Sequence, residues 1–299
     1  MQSYLKAIES ALELHLPQCR HLAYSPAARP LDDAVRYAIF PGGKRIRPML
    51  TLLGAGVFGA DLQGALPAAC AVEFIHTSSL VFDDLPCMDD AHIRRGIPVV
   101  HAVFGEEVAL LAGLALLNQS YAIFGQTPAL MREATRCIGV DGMIGGQALD
   151  LVPEQEIDAS AADREQRLTE RNRKTSAMMR LALTAGALAC GATEDDVAVL
   201  GAAGQSLGEA FQMADDLLDA RRSSQHTGKN AGQDRRHKRP NYGGVDEHAM
   251  LAQVRSMVVA SEAALTEAYG RARIAGLVAF LHAMFGKLTA EEQVPVQTK

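Results

Sequence analysis

The chain has 299 residues, 48% of them hydrophobic and 21% charged, enough apolar material for one large domain or two ordinary ones. Its 29 basic and 35 acidic residues leave a net charge of −6, which argues against general nucleic-acid binding. Five scattered cysteines, odd in number and without a CxxC pair, argue against a disulfide framework and a zinc site, and point to a reducing cytoplasm.

The first residues carry acids and no apolar core segment, so no signal peptide is read there. Leu5, Ile8, Ala11, Leu12 and Leu16 share one face of an amphipathic helix expected within 1–25. A short helix over 31–40 stops at Pro41-Gly42-Gly43, and the basic stretch Lys44-Arg45-Ile46-Arg47-Pro48 opens an apolar helix over 49–58. A strong helix begins with Pro67 in its first turn and runs to 84, just before Pro86. Helical patterns follow over about 104–124, 128–149, 162–190, 194–220, 246–270 and 272–285. The longest uncharged apolar run, 108–117, is about half the ~20 residues that span a bilayer, and reads as a buried helix without membrane insertion. No alternating strand pattern is found, and abundant Ala and Leu with no Trp favour helices. The polar, Gly-rich stretch 221–244 is the one long break, and the tail after 288 reads as frayed. The expectation is a single all-α domain over 1–299.

Asp83, Asp84, Asp89 and Asp90 fall within eight residues at the end of an apolar helix. Acids there oppose the helix dipole and repel one another, a conflict that a cation removes. His76 and Asp83 share a face two turns apart, and Pro86 interrupts the helix so that the loop can return Asp89 towards Asp83. Hard Mg²⁺ takes such carboxylates together with phosphate oxygens and water. For this segment alone, a solvated helix end is the competing reading. Downstream, Gln212, Asp215, Asp216 and Asp219 follow the i, i+3, i+4, i+7 pattern beside an apolar stripe of Leu207, Phe211, Ala214 and Leu218. That helix reads as buried, where unpaired carboxylates need counter-charge; an exposed polar face is the alternative. Facing helices of a bundle are an established setting for a metal held by two such clusters.

Lys44, Arg45 and Arg47 follow a Gly-Gly turn, and Arg94-Arg95-Gly96 lies just beyond Asp89. Guanidinium forks take phosphate oxygens in pairs, and lysine adds a point charge. Lys174 and Lys229 are further candidates, although Gly228-Lys229 is not a Walker motif because the preceding GxxxxG and strand are missing. Each basic group alone reads as solvated surface, and a lone histidine such as His76 as a core residue. Their weight lies in being several within an acidic chain.

The order GGKRIRP (42–48), HTSSLVFDDLPCMDD (76–90), RRG (94–96), GGQALDL (145–151), RKT (173–175) and FQMADDLLD (211–219) resembles the trans-prenyltransferases that make short-chain polyprenyl diphosphates. The resemblance covers about residues 30–235, and two Asp-rich motifs with basic motifs in this order are a specific signature. It implies an all-α bundle around a deep central cavity, a homodimer, and about three Mg²⁺ ions. The implied reaction is head-to-tail condensation of isopentenyl diphosphate onto an allylic diphosphate. Asp83, Asp84 and Asp89 match the first-motif metal ligands. Asp215 matches the main second-motif ligand, with Asp216 and Asp219 in support. Lys44, Arg47, His76 and Arg95 match the isopentenyl diphosphate site. Arg94, Lys174, Gln212 and Lys229 match the allylic diphosphate site, and Thr175 and Gln147 match residues flanking the developing cation.

In this family the fourth and fifth residues before the first Asp help to set the pocket floor. Here they are Ser79 and Ser78, both small, which resembles geranylgeranyl diphosphate synthases; a bulky aromatic there resembles bacterial farnesyl diphosphate synthases. Met49, Phe104 and Met143 are candidate plugs from neighbouring helices. The stretch 238–244 departs from the family in having Gly243 in place of proline, which bears on lid closure. A terpene cyclase needs no second diphosphate site, so GGKRIRP with His76 and Arg95 argues against that class. A non-catalytic partner subunit tends to lose one Asp motif, and both are intact.

Overall fold

The structure, a computed structural model, describes residues 1–19, 29–40, 42–59, 62–151, 170, 172–225 and 246–289. The described residues form helices almost throughout, as the composition leads one to expect. In chain order they are α1 (Gln2–His15), α2 (Arg29–Ile39), α3 (Ile46–Gly56) and α4 (Leu62–Asp83), then α5 (Val100–Phe104), α6 (Glu106–Phe124), α7 (Pro128–Ile138) and α8 (Met143–Asp150). The series ends with α9 (Arg173–Ala189), α10 (Glu194–Gln225), α11 (Glu247–Tyr269) and α12 (Arg271–Thr289).

The central element is α9, which packs against α3, α4, α7, α8 and α10. Its residues from Met178 to Leu188 are almost all buried. Two glycines let α3 and α9 cross backbone to backbone. A Cβ on Gly186 would lie 1.8 Å from the Thr51 carbonyl oxygen, and one on Gly54 would lie 2.4 Å from that of Leu183. Beside this crossing, α4 and α6 run antiparallel. Ser78 donates to the Gly113 carbonyl at 3.0 Å, and Ser120 donates to that of Ala71 at 3.0 Å, the same interval along both helices.

Several boundaries differ from the sequence expectation for identifiable reasons. Helix α4 begins a turn earlier, at Leu62, and carries Pro67 inside it; near a helix start the missing N–H forfeits little of the ladder. The expected 128–149 helix is two helices. Gly139 turns extended, and a Cβ on Gly142 would strike the Cys137 carbonyl at 2.1 Å. Helix α10 starts where Thr193 and Asp196 cap each other's side of the first turn, and it continues to Gln225, into the stretch read as a break. A two-residue antiparallel hairpin, β1 (Ile93–Arg94) with β2 (Ile97–Pro98), went unforeseen because its strands are too short to alternate. Helix α6, read as buried, is only half so: Leu110, Leu111 and Leu114 are 45%, 51% and 46% exposed. Both α4 and α6 are long and apolar enough to cross a membrane; α4 is nevertheless mostly buried in the bundle. Lys229, the 238–244 segment and the tail beyond 289 lie outside the described residues.

Candidate active site

The last residue of α4 is Asp83, and the chain then turns tightly. Asp89 N–H donates to the Asp83 carbonyl at 2.9 Å, and Ala91 N–H donates to that of Asp84 at 3.2 Å. Pro86 thus interrupts the helix and Asp89 returns beside Asp83, as its position suggested. Asp83 and Asp84 are each 4% exposed, and each is held by a cation from elsewhere in the chain. Lys174, in the first turn of α9, donates to Asp83 at 2.5 Å. Arg94 donates through Nε to both oxygens of Asp84, at 2.8 and 2.9 Å. Burial pushes the Asp83 pKa up, Lys174 pulls it back, and the neighbouring Asp89 charge adds to the rise. A further cation would relieve that conflict.

The approach of Lys174 depends on the Gly-Gly pair of GGQALDL. A Cβ on Gly146 would lie 2.3 Å from the Lys174 backbone nitrogen, so only glycine lets α8 meet the start of α9 this closely. The next residue, Gln147, has both amide atoms buried, with no partner among the described residues. These two amide atoms leave a donor and an acceptor open to a ligand or to water. Thr175 donates to Gln212 Oε1 at 2.8 Å, and Gln212 Nε2 donates to Asp216 at 2.8 Å, tying α9 to the acidic stripe of α10. That stripe is less enclosed than expected: Asp215 is exposed and Asp216 half-buried, because they lie on the outer side of the helix from Met213, Ala214 and Leu217. The Asp215 charge nevertheless acts on Arg47, which places it at the same end of the bundle. The Asp219 side chain lies outside the described residues.

A second feature lies beside the first. Gly42, Gly43, Lys44, Arg47, Glu73, His76 and Arg95 border a cavity of about 380 Å³. Lys44 comes from the turn before α3, Arg47 from the first turn of α3, Glu73 and His76 from α4, and Arg95 from the hairpin. Arg95 and Gly96 form the hairpin turn with φ of 54° and 81°, a left-handed pair that a two-residue connection favours. Arg45 and Asp90 also have positive φ, so the non-glycine residues of this kind among the described residues all flank the site. In its turn Arg95 donates to the Gly42 carbonyl at 3.0 Å. Arg47 Nη1 lies 3.2 Å from His76 Nε2.

Arg45 behaves differently from the basic stretch it belongs to. Its left-handed backbone turns the side chain inward, where it bonds Glu73 at 2.7 Å, Glu9 at 2.8 Å and the Ile39 carbonyl at 2.9 Å. It joins α1, α3 and α4 and has no donor surplus comparable to that of Arg47. Two further residues were not singled out from the sequence. Glu73 was visible as a lone acid within the apolar run 65–75. Tyr37, whose hydroxyl donates to the Pro98 carbonyl at 2.8 Å, gave no signal beyond its place on an amphipathic helix. Of the residues considered for the product pocket, Ser78 is buried in the α4–α6 seam, whereas Ser79 lies on the face shared by His76 and Asp83. Met49 and Met143 are core residues, and Phe104 packs edge-on against Tyr37 at 5.5 Å.

Among the described residues, no three His, Cys or acidic side chains converge as a ready metal centre. Asp83 and Asp84 are instead each bonded to a cation from another segment, Lys174 and Arg94. Buried hard oxygen donors of this kind fit a magnesium that arrives with phosphate ligands of its own.

The sequence profile of the polyprenyl synthetase family matches residues 28–249. A mitochondrial geranylgeranyl pyrophosphate synthase of Arabidopsis thaliana is 38% identical over 249 residues, 78% of this chain and 73% of that protein. A chloroplastic heterodimeric geranylgeranyl pyrophosphate synthase large subunit from the same plant is 36% identical over 77% of this chain and 62% of its own length. Among solved structures, an FPP/GFPP synthase from Zymomonas mobilis superposes with a TM-score of 0.77 at 29% identity, covering 95% of this chain and 97% of the other. The helical architecture and the profile match agree: the chain is a prenyltransferase belonging to the polyprenyl synthetase family.

Proposed function

We propose that the chain condenses isopentenyl diphosphate head-to-tail with allylic diphosphates, with magnesium, and releases geranylgeranyl diphosphate. The observation that carries this reading is the pairing of two anion-competent patches: the basic cavity of Lys44, Arg47, His76 and Arg95, and the adjoining Lys174–Asp83 and Arg94–Asp84 cluster. One diphosphate belongs in each. In the second patch, Lys174 and Arg94 turn from their carboxylates to the allylic diphosphate, joined by Lys229. The carboxylates they leave, Asp83 and Asp84 with Asp89, and opposite them Asp215 and Asp216 with Asp219, are the groups that hold magnesium. The metal supplies charge that stabilises the departing diphosphate.

The chain's own residues do the rest. Lys174 and Arg94 stabilise negative charge developing on the leaving group. The Gln147 amide, without a partner among the described residues, and the Thr175–Gln212 pair offer dipoles to the allylic cation. The double bond of isopentenyl diphosphate, held through Lys44, Arg47 and Arg95, attacks that cation. The proton then lost goes to the departed diphosphate, so no protein base is required.

Small side chains at 78 and 79 favour the geranylgeranyl product. Farnesyl diphosphate is the second reading, favoured by one observation: the Ser78 hydroxyl is committed to the α4–α6 seam and leaves less of the floor to small residues. A homodimer in the cytoplasm completes the proposal. The apolar outer side of α6, at Leu110, Leu111 and Leu114, supports an interface between copies. Free cysteines at all five positions suit a reducing compartment. Magnesium-dependent diphosphate release from an allylic diphosphate, with and without isopentenyl diphosphate, tests the reaction. Release that needs both substrates is expected. Release without isopentenyl diphosphate indicates a cyclase, and none at all an accessory subunit.

A further inference from the structure

Four guanidiniums border the basic cavity or its rim, and each is held differently; Arg95 is held by the Gly42 carbonyl, at 3.0 Å. Arg45 is committed to Glu73 and Glu9, and Arg94 to Asp84. Those partners are carboxylates, which orient a guanidinium and cancel its charge together. Among the described residues, Arg47 has no carboxylate bonded to it and its buried Nε has no partner. The contact that fixes its orientation is Nη1 to His76 Nε2, at 3.2 Å.

A guanidinium has only donors, so Nε2 must be the acceptor in this contact. An imidazole with a free lone pair on Nε2 is neutral and carries its proton on Nδ1. We propose that His76 is a neutral positioning residue, which accepts from Arg47 at Nε2 and aims that guanidinium into the cavity with its full positive charge left for the ligand. The surroundings support a neutral ring. Burial holds the imidazole well below its ordinary pKa, and the charges of Arg47 on α3, Arg95 and Arg94 on the hairpin, and Lys174 on α9 lower it further. Glu73, one turn earlier on α4, is the acid in the cavity wall, and Arg45 holds it. His76 therefore adds no charge to the site; it protects the charge of its neighbour. The inference rests on reading the cavity as the isopentenyl diphosphate site.

The test has two arms. In substrate-free protein with ¹⁵N-labelled histidine, the His76 resonances should show Nδ1 protonated and Nε2 unprotonated; a protonated Nε2 overturns the proposal. The second arm compares three variants by KM for isopentenyl diphosphate. His76→Leu, with no acceptor, should raise KM by about tenfold or more, with a smaller change in kcat. His76→Gln restores a neutral acceptor of similar reach and should recover most of that loss. His76→Glu restores an acceptor but neutralises Arg47, so its KM should stay high. Equal KM for Gln and Leu, or for Gln and Glu, overturns the proposal. A wild-type chain that transfers no prenyl group would instead sink the proposed function, while the resonances still decide the tautomer.

Discussion

Replacing Arg45 by methionine separates structural from ligand-facing cations within Lys44-Arg45-Ile46-Arg47. The Arg45 and Glu73 side chains are 1% and 2% exposed and 2.7 Å apart, whereas Glu9 is 42% exposed and can return to water. Removing one partner of such a buried pair costs about 3–5 kcal/mol, because a carboxylate is left without its counter-charge. The lower end applies here: the Arg47 and Arg95 charges still act on the Glu73 side of the cavity. An unfolding entropy of about 2.1 cal/mol/K per residue makes a loss of ~3 kcal/mol a fall in Tm of about 5 °C for 299 residues. Calorimetry measures this directly. The double variant Arg45→Met/Glu73→Leu should recover much of the loss, since the stranded charge is gone. KM for isopentenyl diphosphate should change less in Arg45→Met than in Arg47→Met. An unchanged Tm with KM raised as far as in Arg47→Met would refute the assignment of Arg45 as a strut.

Other outcomes follow from the same geometry. Ser79→Phe should shorten the product to farnesyl diphosphate, read by chromatography of the dephosphorylated alcohol. Ser78→Phe should instead lower stability by about 1–3 kcal/mol, because the seam with Gly113 has no room for a ring. Geranylgeranyl diphosphate from Ser79→Phe would contradict this division. Tyr37→Phe removes the bond to the Pro98 carbonyl, a tether of a hairpin too short to stand alone. KM for isopentenyl diphosphate should rise about threefold to tenfold, with kcat less affected; no change would mean that Arg94 and Arg95 are placed without it. Near neutral pH, thiol reagents should label Cys87 first, since it is exposed between Asp84 and Asp89. Burial pushes the Cys70 and Cys137 thiols up to about 12, so both should react only on unfolding. Labelling of either in the folded protein, read by peptide mass, would contradict their burial.

What the sequence made legible was local. The return of Asp89 follows from Pro86, and the start of α10 at Glu194 was expected, whereas α3, expected over 49–58, begins at Ile46, inside the basic stretch read as opening it. The grouping of Lys44, Arg47, His76 and Arg95 came from motif order; no periodicity reports a contact between residues 29 apart, such as Arg47 and His76. The inward turn of Arg45 was hidden for a related reason: its left-handed backbone has no local signature, and its partners lie on α1 and α4. The exposure of Asp215 and of the α6 leucines was misjudged because an apolar sequence reports affinity for burial, not which neighbour provides it. Glu73 was the missed clue, an acid whose apolar neighbours already required a buried cation.

The central claim is that the two patches hold two diphosphates while the chain grows to four isoprene units. Incubating the protein with magnesium, isopentenyl diphosphate and labelled farnesyl diphosphate tests it most directly. Labelled geranylgeranyl diphosphate is the expected product. Farnesyl diphosphate returned unextended, under conditions where shorter allylic diphosphates are elongated, would contradict it.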